Sequence, residues 1–326
     1  MVISTFSDGS EPVGEDRVAV CVFWPAPLLT VTIEGTANGE ELHLHPGGQG
    51  FWVARMARVL GADVVVCAPF GGETGIVLRH LLDEMSVRVR AISMPAASGA
   101  YIHDRRSSER REIWEGEHGV LGRHELDELY SATLAEGLAA GVCVLAGTNK
   151  FETVEAATYR RLAGDLGANG VRVIADLSGD ELAAALEGSP YLVKLSDEEL
   201  VGSGFATDES EQAVADGVES LLARGAANVV VSRGDKGSVA VVERTWYEVR
   251  APSMEAVDHR GAGDSMTAAL AVAAARGLDP ESGLRLAAAA GALNVTRHGL
   301  GSGRADAIGQ LTANVEVRPL GVRAQP

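Results

Sequence analysis

Val257-Asp258-His259-Arg260-Gly261-Ala262-Gly263-Asp264-Ser265-Met266-Thr267-Ala268-Ala269-Leu270 passes from a polar loop through a Gly-Ala-Gly turn into an alanine-rich, helix-forming run. The first N–H groups of a helix have no partner inside it. The amides of Gly261, Ala262 and Gly263 would therefore crowd at a helix N-terminus and form an anion site. Small residues leave that backbone open to a phosphoryl group. Asp264 adds a carboxylate where it can take a proton from an attacking hydroxyl. An acid beside an anion trap points to phosphoryl transfer. The same quartet is also compatible with an ordinary helix start in which Asp264 merely complements the dipole, so the rest of the chain has to decide.

The chain has 326 residues, room for one large α/β domain or two smaller ones. Its 46% hydrophobic and 22% charged residues match a soluble globular protein. Lys and Arg number 28 against 45 Asp and Glu, a net charge of −17. That field disfavours nucleic acid and anionic membranes as partners, and an anionic substrate would need local positive charge or a metal ion such as Mg²⁺. Cys21, Cys67 and Cys143 lie in apolar runs without a CxxC pair, the pattern of buried thiols in a reducing compartment. No apolar run reaches membrane-spanning length and the opening residues lack a signal-peptide core. A cytoplasmic location is expected.

Residues 1–16 read as a disordered leader, 17–315 as the folded domain and 316–326 as a tail. Residues 18–23 form a continuous apolar run of the buried-strand kind, stopped by Trp24-Pro25-Ala26-Pro27. Extended pieces at 29–33 and 41–45 flank a turn, and a polar, basic stretch over 98–114 adds to them, so lid strands are expected near 29–45 and 98–114. His43 and His45 share a strand face; packed or solvated histidines are favoured over a metal pair because no third ligand stands nearby. Gly47-Gly48-Gln49-Gly50 opens a helix over 51–60. Strand-forming runs at 63–68, 87–92, 142–146, 171–176, 191–194 and 228–232 then alternate with helix-forming runs, which is the grammar of a parallel sheet. Two alanine-rich helices, 264–276 and 282–297, close the domain. The fold expected is α/β, a doubly wound, mostly parallel sheet flanked by helices, with a small β-sheet lid.

Four motifs stand in one order along the chain: Gly47-Gly48-Gln49-Gly50, Lys194-Leu195-Ser196-Asp197-Glu198-Glu199-Leu200, Val231-Ser232-Arg233-Gly234-Asp235-Lys236-Gly237 and Gly261-Ala262-Gly263-Asp264. Together they resemble the ribokinase or PfkB family of carbohydrate kinases, and within it the 1-phosphofructokinase and tagatose-6-phosphate kinase branch. The resemblance implies ATP and Mg²⁺ as cofactors. It makes Asp264 the catalytic base and Gly261, Ala262 and Gly263 the anion hole. By the same likeness Glu199 organises Mg²⁺ indirectly, while Lys194, Ser196, Ser232, Gly234 and Gly237 lie along the nucleotide. Residues 288–294, Asn294 among them, and Gly299 would line the adenine pocket. Asp258 matches a position that helps hold a monovalent cation, K⁺. A homodimer through the lid also follows from the resemblance, since exposed strand edges invite pairing.

The acceptor half departs from the family. Trp24-Pro25-Ala26-Pro27-Leu28 puts Leu28 where the branch has a sugar-gripping Asp, Gln49 replaces a phosphate-binding Lys, and Trp52 replaces a sugar-binding Asn. Ser98-Gly99-Ala100-Tyr101 lacks the Arg or Lys often found there, and Ser196 replaces an Asn. Burying a sugar phosphate without charge partners is costly. A pocket of Trp24, Leu28, Gly48, Gln49, Trp52 and Tyr101 suits a flatter, less charged small molecule on which an indole can stack; the competing reading has the tryptophans packing the core. Three functions follow: an ATP-dependent kinase for a sugar-like or less polar alcohol, a sugar-phosphate kinase whose clamp has moved to Lys150 or to Arg105, Arg106, Arg110 and Arg111, and a weakly catalytic nucleotide-binding regulator.

Overall fold

The computed structural model describes residues 17–36, 39–107, 111–148, 151, 153–254, 260–296 and 303–321. The expected leader, Lys150, Arg110, Asp258 and Gly299 lie outside them. Along the chain run β1 (Ala19–Phe23), β2 (Leu28–Thr36), β3 (Gly39–Gly47), α1 (Gln49–Val59), β4 (Asp63–Phe70), α2 (Gly72–Glu84), β5 (Arg88–Ser93), β6 (Gly99–Arg105) and β7 (Arg111–Gly116). There follow α3 (Arg123–Ala140), β8 (Val142–Ala146), α4 (Ala156–Ala168), β9 (Arg172–Asp176), α5 (Gly179–Glu187), β10 (Leu192–Ser196), α6 (Asp197–Gly202), α7 (Glu211–Ala223) and β11 (Val229–Ser232). The last third holds β12 (Ser238–Val242), β13 (Thr245–Arg250), α8 (Ala262–Arg276), α9 (Pro280–Val295), α10 (Ala305–Thr312) and β14 (Glu316–Gly321).

Ten strands form the main sheet in the order β14-β13-β12-β11-β10-β9-β8-β1-β4-β5. From β11 to β5 every neighbour is parallel; β12, β13 and β14 add antiparallel strands at one edge. Strands buried on both faces need apolar residues at every position, and all five residues of β8 are buried. Alternate residues of β1 feed two cores. Val20 and Val22 join the layer containing α1, α8 and α9, whereas Cys21 and Phe23 join the layer containing α3, α4, α5 and α7. The three cysteines are free and buried, as their apolar settings imply.

The lid is a four-stranded sheet, β3-β2-β6-β7. Its register puts Thr30, Thr32, His45, Tyr101 and His103 on one face and Val31, Leu42, Leu44, Ile102 and Trp114 on the other. Thr30, Thr32 and His103 are buried while Leu42, Leu44 and Trp114 are exposed, so the polar face packs toward the domain.

Two elements differ from expectation. The segment from residue 316, expected as a tail, supplies β14, which pairs with β13 through Val317 opposite Val249; Pro319 and the charged Glu316 and Arg318 hide a strand that only a sheet edge tolerates. The Lys194 motif also contains a short helix, α6, directly after β10. Among the described residues no helix is long and apolar enough to cross a membrane.

Candidate active site

Two of the expected residues, Ser196 and Ser232, stand at the carboxyl ends of parallel strands, where open α/β sheets place their ligand crevice. Asp176 closes β9, Ser196 closes β10 and Ser232 closes β11. The Gly-Ala-Gly turn meets them from α8. Gly261 is its N-cap in the left-handed region at φ 75°, a conformation that favours glycine. Its carbonyl accepts from both the backbone and the hydroxyl of Ser265. From α9, Asn294 Nδ2 donates to the Arg260 carbonyl at 2.7 Å, so a residue expected against adenine has a bond that braces the turn.

Beneath the turn lies a buried ion pair. Lys194 Nζ sits 3.5 Å from Asp176 Oδ1, with side chains only 5% and 2% exposed. Thr267, one turn along α8 from Asp264, donates its hydroxyl to Asp176 Oδ2 at 2.5 Å. Burial raises the Asp176 pKa against the pull of Lys194. Burial also works against the Lys194 ammonium, but Asp176, Glu199 and Asp264 outweigh it and raise its pKa. Loss of solvent, then the charge of Asp176, pushes Asp264 up to about 7 against the opposing charge of Lys194. A carboxylate whose pKa lies near neutrality is suited to accept a proton in turnover.

Ser196 and Glu199 form a capping box at α6. Ser196 Oγ accepts from the Glu199 amide at 3.1 Å and Glu199 Oε2 accepts from the Ser196 amide at 2.7 Å. Ser-x-x-Glu is the sequence signature of that box, and it explains locally why Ser196 is compatible with the motif. Mg²⁺ held with nucleotide takes one or two carboxylates, waters and phosphate oxygens rather than a protein cage. Glu199 fits such a role, being exposed and within electrostatic reach of both Asp264 and Lys194. In the next loop Gly234 and Gly237 have φ of 55° and 86°, and a Cβ on Gly237 would strike the Val249 carbonyl. Arg233 reaches back to Asp197 at 3.9 Å.

The acceptor side holds the largest surprise. Trp24 is 1% exposed and packs against Phe51 and Phe70. A Cβ on Gly50 would collide with its indole. Trp24 is therefore core packing, the competing reading of the tryptophans, and Gly50 makes the hole it fills. Trp52 is 7% exposed, between Phe51 and His45. Leu28 pairs with Gly99 in the lid, its side chain beside the space a Cβ there would take. Gly48 caps α1 at φ 97°, and Gln49 Oε1 accepts from the Gly147 amide at 2.6 Å. Beside it, Glu181 accepts from the amide and hydroxyl of Thr148.

Positive charge collects where the lid meets the turn. Burial, then Arg260 and Arg105, lower the His103 pKa to about 4. His45 falls to about 4 through burial, Arg55, His43 and Arg105. The Arg260 pKa is itself lowered by burial and by Arg105. Arg105 pairs with Glu34, and Arg106 and Arg111 pair with Asp104. The sequence does not single out Asp176, Thr267 or Arg260. The first two are joined by topology alone, but Arg260 touches the glycine turn in the chain itself.

The pfkB family carbohydrate kinase model matches residues 28–307. The chain belongs to the pfkB family of carbohydrate kinases. This pfkB kinase is 31% identical over 293 residues to the ATP-dependent 6-phosphofructokinase isozyme 2 of Mycobacterium tuberculosis, covering 86% of this chain and 84% of the relative. It is 30% identical over 319 residues to the 1-phosphofructokinase of Vibrio cholerae, covering 93% and 97%. Phosphofructokinase-2 of Escherichia coli, solved with fructose-6-phosphate, superposes with a TM-score of 0.78 at 25% identity over 91% of this chain and 99% of that one. The pfkB kinase thus has the ribokinase-like fold and is an ATP-dependent phosphotransferase acting on a sugar hydroxyl.

Proposed function

We propose that this pfkB kinase uses Asp264 to deprotonate a hydroxyl of an anionic, sugar-phosphate-like acceptor as that oxygen takes the γ-phosphate of Mg·ATP. The observation that carries the reading is the position of Asp264 in the first turn of α8, next to the amides of residues 261–263, with its pKa near 7. The carboxylate accepts the hydroxyl proton. The amides and the helix dipole receive negative charge on the transferred group. Mg²⁺ would neutralise phosphate charge, with Glu199 ordering its shell. Ser232, Gly234 and Gly237 are assigned to the nucleotide side, and K⁺ at Asp258 is retained from the family likeness.

The acceptor's charge is inferred from Arg105 and Arg260, which press on one another and on His103 in a protein of net charge −17. This favours the relocated clamp, with Arg105 kept from the earlier set and Arg260 added. One observation favours the less charged acceptor: Gln49 is engaged with Gly147, and Trp52 and Tyr101 supply ring surface beside the lid histidines. Comparing kcat/KM for sugar phosphates and for the corresponding free sugars tests the two. A preference for free sugars would overturn the clamp.

The apolar lid face of Leu42, Leu44 and Trp114 supports a homodimer in which a second copy's lid covers it. Light scattering of the wild type and of Trp114→Glu tests this; a monomeric wild type would remove the dimer.

A further inference from the structure

We propose that Arg233 is a positioning residue for the phosphoryl donor: paired with Asp197, its buried guanidinium holds the turn 233–237 against the first turn of α6, so that Ser232 and Glu199 meet one nucleotide together. The inference rests on the phosphoryl-transfer reading above, which assigns both segments to the nucleotide side. Gly234, Asp235 and Lys236 are exposed, yet Arg233 beside them is buried. Charged side chains are almost never buried without a partner. Its partner is Asp197, with Nε 3.9 Å from Oδ2 and side chains 8% and 10% exposed. That distance makes an ion pair but is too long for a hydrogen bond, and Nε donates to no atom among the described residues. Asp197 therefore needs a positive charge at this place rather than the fork of a guanidinium.

The pair sits where two motifs come side by side. β10 and β11 are parallel neighbours whose ladder ends with Ser196 opposite Ser232. Asp197 and Arg233 each follow directly, so the ion pair is the rung beyond the last backbone pair. Each partner belongs to a turn already closed on itself. Asp197 Oδ1 accepts from the Glu198 amide at 3.1 Å, and the capping box of Ser196 and Glu199 fixes the rest of that turn. The Arg233 amide donates to the Gly237 carbonyl at 2.8 Å, and the Arg233 carbonyl accepts from the Lys236 amide at 3.0 Å. One buried charge pair thus joins two closed turns. Lys236 and Glu209 make a second ion pair from the same loop, but with side chains about half exposed, and such pairs contribute little. Losing either buried partner strands the other charge and frees the two turns to shift.

The test is ADP binding by calorimetry, with steady-state kinetics alongside, on Arg233→Met, Arg233→Lys, Asp197→Asn and the double variant of Arg233→Met with Asp197→Asn. Arg233→Met and Asp197→Asn should each raise the ADP Kd and the KM for Mg·ATP about tenfold, while kcat and the acceptor KM barely move. The double variant should be no worse than either alone, because both remove one link, and Arg233→Lys should recover most of the affinity. Asp197→Asn is decisive by its sign. Removing a carboxylate beside bound phosphates should tighten ADP binding on charge alone, so unchanged or tighter binding would overturn the proposal. Failure of Arg233→Lys to recover affinity would make the guanidinium a direct phosphate ligand and overturn it as well. ADP binding needs no turnover, so absence of phosphate transfer by the wild type would sink the functional reading while leaving this test readable.

Discussion

Gln49 Oε1 accepts a hydrogen bond from the Gly147 amide at 2.6 Å and so joins the glycine turn before α1 to the end of β8. Where the sequence resemblance leads one to expect a lysine, Gln49 has an acceptor, and that acceptor satisfies a buried backbone donor. Lysine has none to offer.

Gln49→Lys is therefore expected to destabilise the protein rather than to rebuild a phosphate clamp. Leaving the Gly147 amide unsatisfied costs about 1–3 kcal/mol, seen as a melting temperature lower by several degrees. An unchanged melting temperature would show that the bond does not matter to the fold.

The pH dependence follows from Asp264. A base must be ionised to accept a proton, so with its pKa near 7 the fraction competent falls as pH drops below that value. In the free enzyme kcat/KM should rise tenfold per pH unit on the acid side and level off above about 7. A profile flat from about pH 5 to about pH 8 would contradict the role.

Trp24 and Trp52 should separate in their effects. Trp24→Ala removes a fully packed indole and is expected to cost about 3–5 kcal/mol of stability, read from the denaturant midpoint. Trp52→Ala should raise the KM for the acceptor with little change in that for ATP. The reverse pattern would return Trp24 to the acceptor pocket.

Arg260→Ala should raise the KM for a phosphorylated acceptor roughly 10–100-fold, the worth of one hydrogen bond to a charged group. The KM for a free sugar should barely move. Equal effects on both would mean that Arg260 acts by shaping the turn.

Much of this molecule is legible in its chain. Apolar runs such as 142–146 alternating with helical stretches announce the parallel sheet, and the glycine turn before Asp264 announces the start of α8. Other features are not, for physical reasons. The Lys194–Asp176–Thr267 chain depends on β9 lying beside β10 and on α8 crossing above them, which no local pattern encodes. Trp24 beside a proline and a glycine turn looks like a pocket wall; only the packing of Gly50 against its ring shows that it points inward. Ser196 reads as a lost ligand until its capping box with Glu199 is seen. The last strand is disguised by Pro319 and by charges suited to an edge.

The most direct measurement is phosphate transfer from Mg·ATP to fructose 1-phosphate, fructose 6-phosphate, tagatose 6-phosphate and the matching free sugars, by the wild type and by Asp264→Asn. Transfer to a sugar phosphate is expected, reduced by about 10²–10⁴ in Asp264→Asn while ADP binding is retained. Undiminished transfer by Asp264→Asn, or no transfer by the wild type to any hydroxyl acceptor, would contradict it.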